Sequence, residues 1–440
     1  MHKYLPQTNK DIEEMLNRIG VKNVQQLFLD VPKEIIDKDK IDIPSHKSEQ
    51  EIYSYFKDIA SKNIPLKIFA GGGAYDHYTP SAIYAITSRQ EFLTSYTPYQ
   101  AEISQGTLQY IFEYQSMICE LTGLDVANAS LYDGATSASE AMFIATSQAK
   151  KNVFAVSMGV NPRITQVIKT YAKFRNIEVE MIPLKNGRTS LEEFSKINDG
   201  RLAGVLTQTP NYYGLIEDSS EINKLIHEKN GYAISYVNPL TLGLLKTPSE
   251  MAADIAVGDG QPLGIPLNFG GPYIGFMAAK TSLLRKMPGR IVGMSKDSEG
   301  KNCYVLTLQA REQHIRREKA VSNICSNQSL MALWVTIYLS LLGKNGLEEV
   351  GKLNIANSHY LYELLLKTKK FVKVYDDNFF NEFVVRPLVK ISSIEKILAK
   401  NGMSSGIVVD GKNLMFAVTE KRTKEEIEKF ANLLGGLDYE

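Results

Sequence analysis

ADIAVGDGQPLGIPLNFGGPYIG, residues 253–275, begins as a short apolar strand at 254–257 and crosses a loop dense in Gly and Pro. It leaves as a second apolar run at 273–278. A strand that ends in a glycine-rich loop is where open α/β sheets place their ligands. Working outward, apolar strand-like runs and amphipathic runs alternate. Residues 152–158, 177–182, 202–207 and 232–237 read as strands, and 162–174, 191–197 and 219–228 as helices. This alternation predicts an α/β body with a mostly parallel sheet and right-handed crossovers. The polar residues that follow the strands, Gln208, Asn211, Asn238 and Gln261, then line the carboxyl edge.

Enzymes that use pyridoxal phosphate commonly place a Schiff-base lysine just past such a strand, and an aspartate at a neighbouring strand end to hold the pyridine nitrogen. No lysine lies between Asp254 and Ala279, and Gln261 stands in the slot that suits one. An amide cannot form an imine. Asn238 stands where the aspartate is expected, and a neutral amide stabilises pyridinium less well than a carboxylate. The turn at Asp133 leads through Thr136 into an Ala-rich helix. That start reads either as a seat for a phosphate or as a well-capped helix packed on a sheet. Thr136, Asn238 and Gln261 together describe a degenerate cofactor site.

The chain has 440 residues, 44% hydrophobic and 22% charged, with net charge +1. A large core and two or three structural units are expected. The charge balance argues against nucleic acid and membrane surface as partners. Cys119, Cys303 and Cys325 are far apart, which fits a reducing cytoplasm. The six histidines include no close pair, so no metal site is expected. The N-terminus is too polar for a signal peptide, and no apolar run reads as membrane-spanning.

Residues 1–110 are expected to form a helical preface and an arm, 111–325 the large α/β domain, and 326–440 a small C-terminal α/β domain. Capping boxes at Thr8/Asp11 and Ser48/Glu51 open the preface helices. Gly71, Gly72 and Gly73 read as a flexible turn or as a loop that approaches a ligand; no Gly-Lys-Ser/Thr follows, so a phosphate loop is excluded. The arm gathers Tyr96, Tyr99 and Gln105 around Pro98, which suits a binding surface or a subunit clasp. Arg311, His314 and Arg316 lie on a segment of mixed charge that reads as an interface or ligand edge. These six residues are the shared-site or interface candidates, and no self-contained catalytic set is seen.

The motifs TSYTPYQAEISQGTLQ, NASLYDGATSASEA, GQPLGIPLNFGGPYIGF, MPGRIVG and LTLQAREQHIRREKAVSNICSNQ resemble the glycine cleavage system P-protein, in particular its subunit 1. The resemblance covers nearly the whole chain. It implies fold type I of the pyridoxal-phosphate enzymes, an aminotransferase-like body with a small C-terminal domain. It implies a heterotetramer with subunit 2, which carries the lysine and the cofactor, so none is bound covalently here. The implied reaction is glycine decarboxylation with transfer of the aminomethyl group to the lipoyl arm of H-protein. The alternative is a non-catalytic paralogue that only stabilises subunit 2.

Overall fold

The computed structural model describes residues 4–36, 44–320 and 322–439. The chain divides into two compact units, Met1–Ile64 and Pro65–Glu440. In the first, helix α1 (Asn9–Ile19) starts at Thr8, whose hydroxyl accepts from Asp11 N while the Asp11 carboxylate accepts from Thr8 N at 2.6 Å. Ser48 and Glu51 repeat that capping box at helix α2 (Glu49–Ala60). Neither helix has a buried residue, and Met15, Ile19, Ile52 and Phe56 are exposed.

The second unit is built on a seven-stranded sheet. Its strands are β1 (Val126–Ala127), β2 (Val153–Ser157), β3 (Glu178–Ile182), β4 (Leu202–Thr209), β5 (Tyr232–Val237), β6 (Ile255–Asp259) and β7 (Gly275–Ala279), in the order β1-β7-β6-β5-β4-β2-β3. Pairs from β3 to β6 are parallel. The pairs β6–β7 and β1–β7 are antiparallel. The mostly parallel sheet expected from the alternation is present, and residues 253–275 supply its one reversal of direction within the central strands. The helices covering it are α3 (Gln105–Thr122), α4 (Gly134–Ala149), α5 (Pro162–Lys173), α6 (Ser220–Glu228) and α7 (Ser329–Lys367).

Strand side chains alternate between faces, and the core follows. Ile255, Val257 and Met277 join Met142 of α4 and Ile168 of α5 in one cluster. Ala256, Phe276 and Ala278 join Tyr114 of α3 and Val335 of α7 on the opposite face. Burial on both faces is why these strands read as continuous apolar runs.

The two helices expected at 330–342 and 348–368 form the single element α7, broken at Gly343, whose φ of 59° and ψ of −170° are not helical. The break at Gly343 separates the two helices that the sequence predicts; together they are long and apolar enough to cross a membrane by length and composition only, and 44% of their most apolar stretch is buried in the fold. Ala332, Val335 and Tyr338 sit in the core, the profile of a core helix.

A hairpin of β8 (Ile291–Lys296) and β9 (Asn302–Thr307) lies between β7 and α7 in the chain. The C-terminal part carries a four-stranded antiparallel sheet of β10 (Phe371–Lys373), β11 (Glu382–Pro387), β12 (Ile407–Val409) and β13 (Asn413–Ala417), in the order β10-β11-β13-β12. Helices α8 (Ile391–Lys400) and α9 (Lys424–Gly435) supply Ile394 and Phe430 to its core. Phe69 stacks on Phe430 at 4.2 Å, which fixes the start of the second unit on this sheet.

Candidate functional site

At the carboxyl edge, β6 ends at Asp259 and its carboxylate turns back onto the start of α4. Gly134 N donates to Asp259 Oδ2 at 3.1 Å, and Gln261 N donates to Oδ1 at 2.9 Å. Thr136 N donates to Asp133 Oδ1 at 2.7 Å, and Thr136 is buried. The positive end of α4, which attracts anions, is therefore met by two carboxylates of the chain itself. A Cβ at Gly134 would lie 2.3 Å from Tyr236 Oη and 2.9 Å from Asp259 N. The helix start is pressed against the strands with no gap.

Gln261 is fully buried and its side chain makes three hydrogen bonds. Its Oε1 accepts from Tyr75 N at 2.9 Å, and its Nε2 donates to Tyr75 O at 2.8 Å and Ile265 O at 2.7 Å. An amide copies the backbone ladder and stitches the 71–77 loop into the carboxyl edge. Glu382 of β11 closes the other side. Its Oε1 accepts from Gly72 N at 2.6 Å and its Oε2 from Tyr75 Oη at 2.9 Å. His77 is bonded to Glu420 at 2.8 Å, and Lys421 to Asp76 at 2.7 Å. The glycine loop, open to two readings as a flexible turn or a ligand-approaching loop, is a turn tied down by these bonds, and its Gly73 and Tyr75 line the recess.

The remaining space is about 30 Å³, lined among others by Gln208, Tyr236, Asn238, Asp259 and Glu382. That is room for about one water. Asn238 caps the turn after β5, its Oδ1 accepting from Leu240 N at 3.1 Å. Burial pushes the Glu382 carboxyl up to about 7, against the hydrogen bonds from Gly72 and Tyr75. Burial, helped by the charge of Asp133, pushes Asp259 up to about 7. Among the described residues, no lysine lines the space. With no imine-forming amine, no room and no vacant phosphate seat, the residues present do not fit pyridoxal phosphate.

The arm and the mixed-charge segment meet elsewhere, around a residue the sequence reading did not single out. Arg290 is buried at the start of β8. Its guanidinium lies 5.4 Å from the centre of the Tyr99 ring, and its Nη2 donates to Tyr99 Oη at 3.2 Å. Tyr99 meets the His314 ring edge-on at 6.0 Å. Glu312 is buried between them, 3.9 Å from Arg290 Nε and 3.6 Å from His314 Nδ1. Its carboxyl is raised by burial despite the charge of Arg290. Arg311 Nη1 donates to the carbonyls of Met287, at 2.6 Å, and Gly289. Tyr99, Arg311 and His314 are thus brought to one place, and Arg316 lines a cavity beside them.

Gln105 has its amide committed within the chain. Its Nε2 donates to Ala101 O at 2.7 Å and Tyr304 O at 2.9 Å, and its Oε1 accepts from Tyr304 N at 2.9 Å. It clamps β9 to the arm and has no free N–H. Tyr96 is 86% exposed. Sequence reasoning missed Tyr75, Glu382, Arg290 and Glu312. Arg290 had a local signal, a lone arginine entering an apolar strand in MPGRIVG. Glu382 had none, because its partner Tyr75 is 307 residues away.

The model of the glycine cleavage system P-protein family matches residues 2–434. A probable glycine dehydrogenase (decarboxylating) subunit 1 of Moorella thermoacetica is 46% identical over 440 residues, 99% of each chain. A crystal structure of glycine decarboxylase (P-protein) of the glycine cleavage system, in inhibitor-bound form, superposes with a TM-score of 0.90 at 39% identity and 99% coverage of both chains. The sphingosine-1-phosphate lyase of Burkholderia pseudomallei, 13% identical, matches at 0.66 over 92% of this chain and 94% of its own, which extends the likeness to the fold alone. The fold is that of fold type I pyridoxal-phosphate enzymes. A mostly parallel α/β body, matched end to end by relatives called subunit 1, identifies the chain as a member of the glycine cleavage system P-protein family.

Proposed function

We propose that this chain is the cofactor-free subunit 1 of a two-subunit glycine dehydrogenase (decarboxylating). The observation that carries the reading is the full-length likeness to subunit 1 relatives in a chain whose own pocket is filled by Gln261, Tyr75 and Glu382. Subunit 2 then holds pyridoxal phosphate. Glycine loses its carboxyl group as carbon dioxide, and lipoylated H-protein receives the aminomethyl group. A cytoplasmic setting belongs to the same reading and is supported by three cysteines that are all free.

The role assigned to this subunit is to complete the partner's site from the arm. Glycine has no side chain to grip, so its carboxylate is the remaining handle once the amine is engaged. That group must bind and then leave as a neutral molecule. A bidentate arginine would stabilise the ground state and slow that step. The exposed Tyr96 hydroxyl suits it better. The test is decarboxylation by this chain alone, the partner alone and the mixture, each with glycine, lipoylated H-protein and pyridoxal phosphate. Activity is expected only in the mixture. A partner that matches the mixture by itself would reduce this chain to a stabilising paralogue.

A further inference from the structure

A second recess of the second unit is unlike the sealed pocket. A cavity of about 270 Å³ lies between the 285–288 turn, residues 308–316 and Ser322, lined by Arg285, Lys286, Arg311, Arg316 and Ser322 together with Met287, Pro288, Leu308 and Ala310. Four of these side chains are cationic and none is acidic. Arg311 is the one held in place. The Met287 and Gly289 carbonyls fix its Nη1. Its Nε and Nη2 are buried and have no hydrogen-bond partner among the described residues. Arg290, beside Glu312, likewise leaves Nε and Nη1 without one. Among the described residues, the one buried carboxylate found beside these guanidinia is Glu312, whose Oε1 is also unpartnered. Two buried cations against one carboxylate leave an excess of positive charge, and burying an unpaired charge is costly. Such a deficit is removed by an anion entering from the open side.

We propose that this cavity is a binding site for a small oxyanion, a carboxylate or phosphate group, gripped by Arg285 and Arg316 at the rim and drawn in by the uncompensated charge of Arg311 behind them. Arginine offers planar, forked donors that match both groups, while Lys286 adds charge without geometry. The hydroxyl of Ser322, on the same wall, is already engaged: it accepts from Ile324 N at 3.1 Å and bonds the buried Glu140 carboxylate, so the cations alone supply the grip. The volume is roughly nine times the share of one water in the liquid, about 30 Å³, so it accepts an oxyanion with a small organic body. The site does not rest on the glycine reading: it is a property of this chain alone, and its failure would leave that reading untouched.

The experiment is calorimetric titration of the purified full chain with inorganic phosphate, acetate and chloride at one ionic strength. The expected result is saturable binding of phosphate or acetate with no chloride signal; whichever binds more tightly identifies the group. Arg285→Gln and Arg316→Gln, both at exposed positions, are each expected to weaken that binding about tenfold, the scale of one lost charge-assisted hydrogen bond. Lys396→Gln, on α8, should leave it unchanged. Arg311→Gln is expected to abolish it, and if that variant does not fold the two rim variants carry the test. Equal affinity for all three anions, or rim variants that bind as wild type does, overturns the proposal.

Discussion

The two recesses of the second unit differ in what they leave unsatisfied. In the pocket at the carboxyl edge, Gln261 uses its whole amide and Glu382 uses both oxygens. Among the described residues lining it, only the Asn381 amide nitrogen is buried without a partner. In the basic cavity, Arg311 keeps two buried donors unpaired and no acid is among the lining residues described. Buried polar groups are normally hydrogen-bonded. The first recess has therefore been converted into structure, and the second still calls for something from outside. Descent from a cofactor fold does not leave the old site as the place to look for binding.

The largest expected effect would break that comparison on the arm, where open and committed donors lie side by side. Tyr96→Phe, in a complex whose assembly has been verified, should lower turnover by roughly 10- to 1,000-fold, the range typical of a lost site donor. Gln105→Ala should act on stability instead, because its amide pairs with the Tyr304 backbone. A loss of about 1–3 kcal/mol is expected from the two backbone groups it leaves unpaired. Steady-state decarboxylation and chemical denaturation of both variants separate the two roles. A Tyr96 variant with wild-type turnover and glycine affinity would make the arm a clasp only.

The sealed pocket has a pH signature. Glu382 is held up to about 7, above the ordinary glutamate value of 4.5. Between those two values the folded chain keeps a proton that the unfolded chain has released. Its contribution is therefore complete below pH 4.5, falls as pH rises through the window, and is flat above 7. The loss is on the order of 3 kcal/mol, from about 1.4 kcal/mol for each pH unit the window spans. Asp259, raised to about 7 from 3.8, acts in the same direction. Denaturant midpoints at constant salt should fall from about pH 5 to about pH 7, and Glu382→Gln should flatten part of that slope. A wild-type midpoint independent of pH would mean that the pocket solvates its carboxylates.

Gly134→Ala tests the fit of α4 against the sheet. The added Cβ meets Tyr236 Oη at 2.3 Å and backbone at 2.9 Å, so the helix start must shift. Overpacking of this kind costs about 1–3 kcal/mol. A variant as stable as wild type would show slack where the phosphate seat of a working relative would lie.

How much of this was legible depends on the range of the interaction. Strand and helix positions followed from periodicity, because apolar runs buried on both faces mark parallel strands. The capping boxes at Thr8 and Ser48 were legible because they span only three residues. The lack of a lysine near Gln261 could be read directly. What Gln261 does could not, since Tyr75 lies 186 residues away. The same holds for Glu382 and for the grouping of Tyr99 with Arg290 across 191 residues. What Gln105 holds was hidden for a related reason: the Tyr304 backbone it pairs with lies 199 residues away.

The smallest expected change comes from restoring the missing amine. Gln261→Lys puts a primary amine just past the end of β6, the position from which an imine could form. Pyridoxal phosphate is still not expected to bind. An amine alone gives no space, and about 30 Å³ remains. The start of α4 is already met by Asp259 and Asp133, whose carboxylates repel a phosphate. Asn238 offers the ring nitrogen no charge, and Asn238→Asp in the same chain would add one without opening the pocket. The new ammonium cannot accept, so it would leave Tyr75 N without the oxygen that the amide supplies. The cost should appear as lowered stability, with no absorbance from bound cofactor and no borohydride-trapped adduct at position 261. An adduct trapped at that position in the single variant would mean that the 71–77 loop can leave the cleft. The sealed pocket would then be a closed state of a working one, and the contrast between the two recesses would be one of conformation and not of construction.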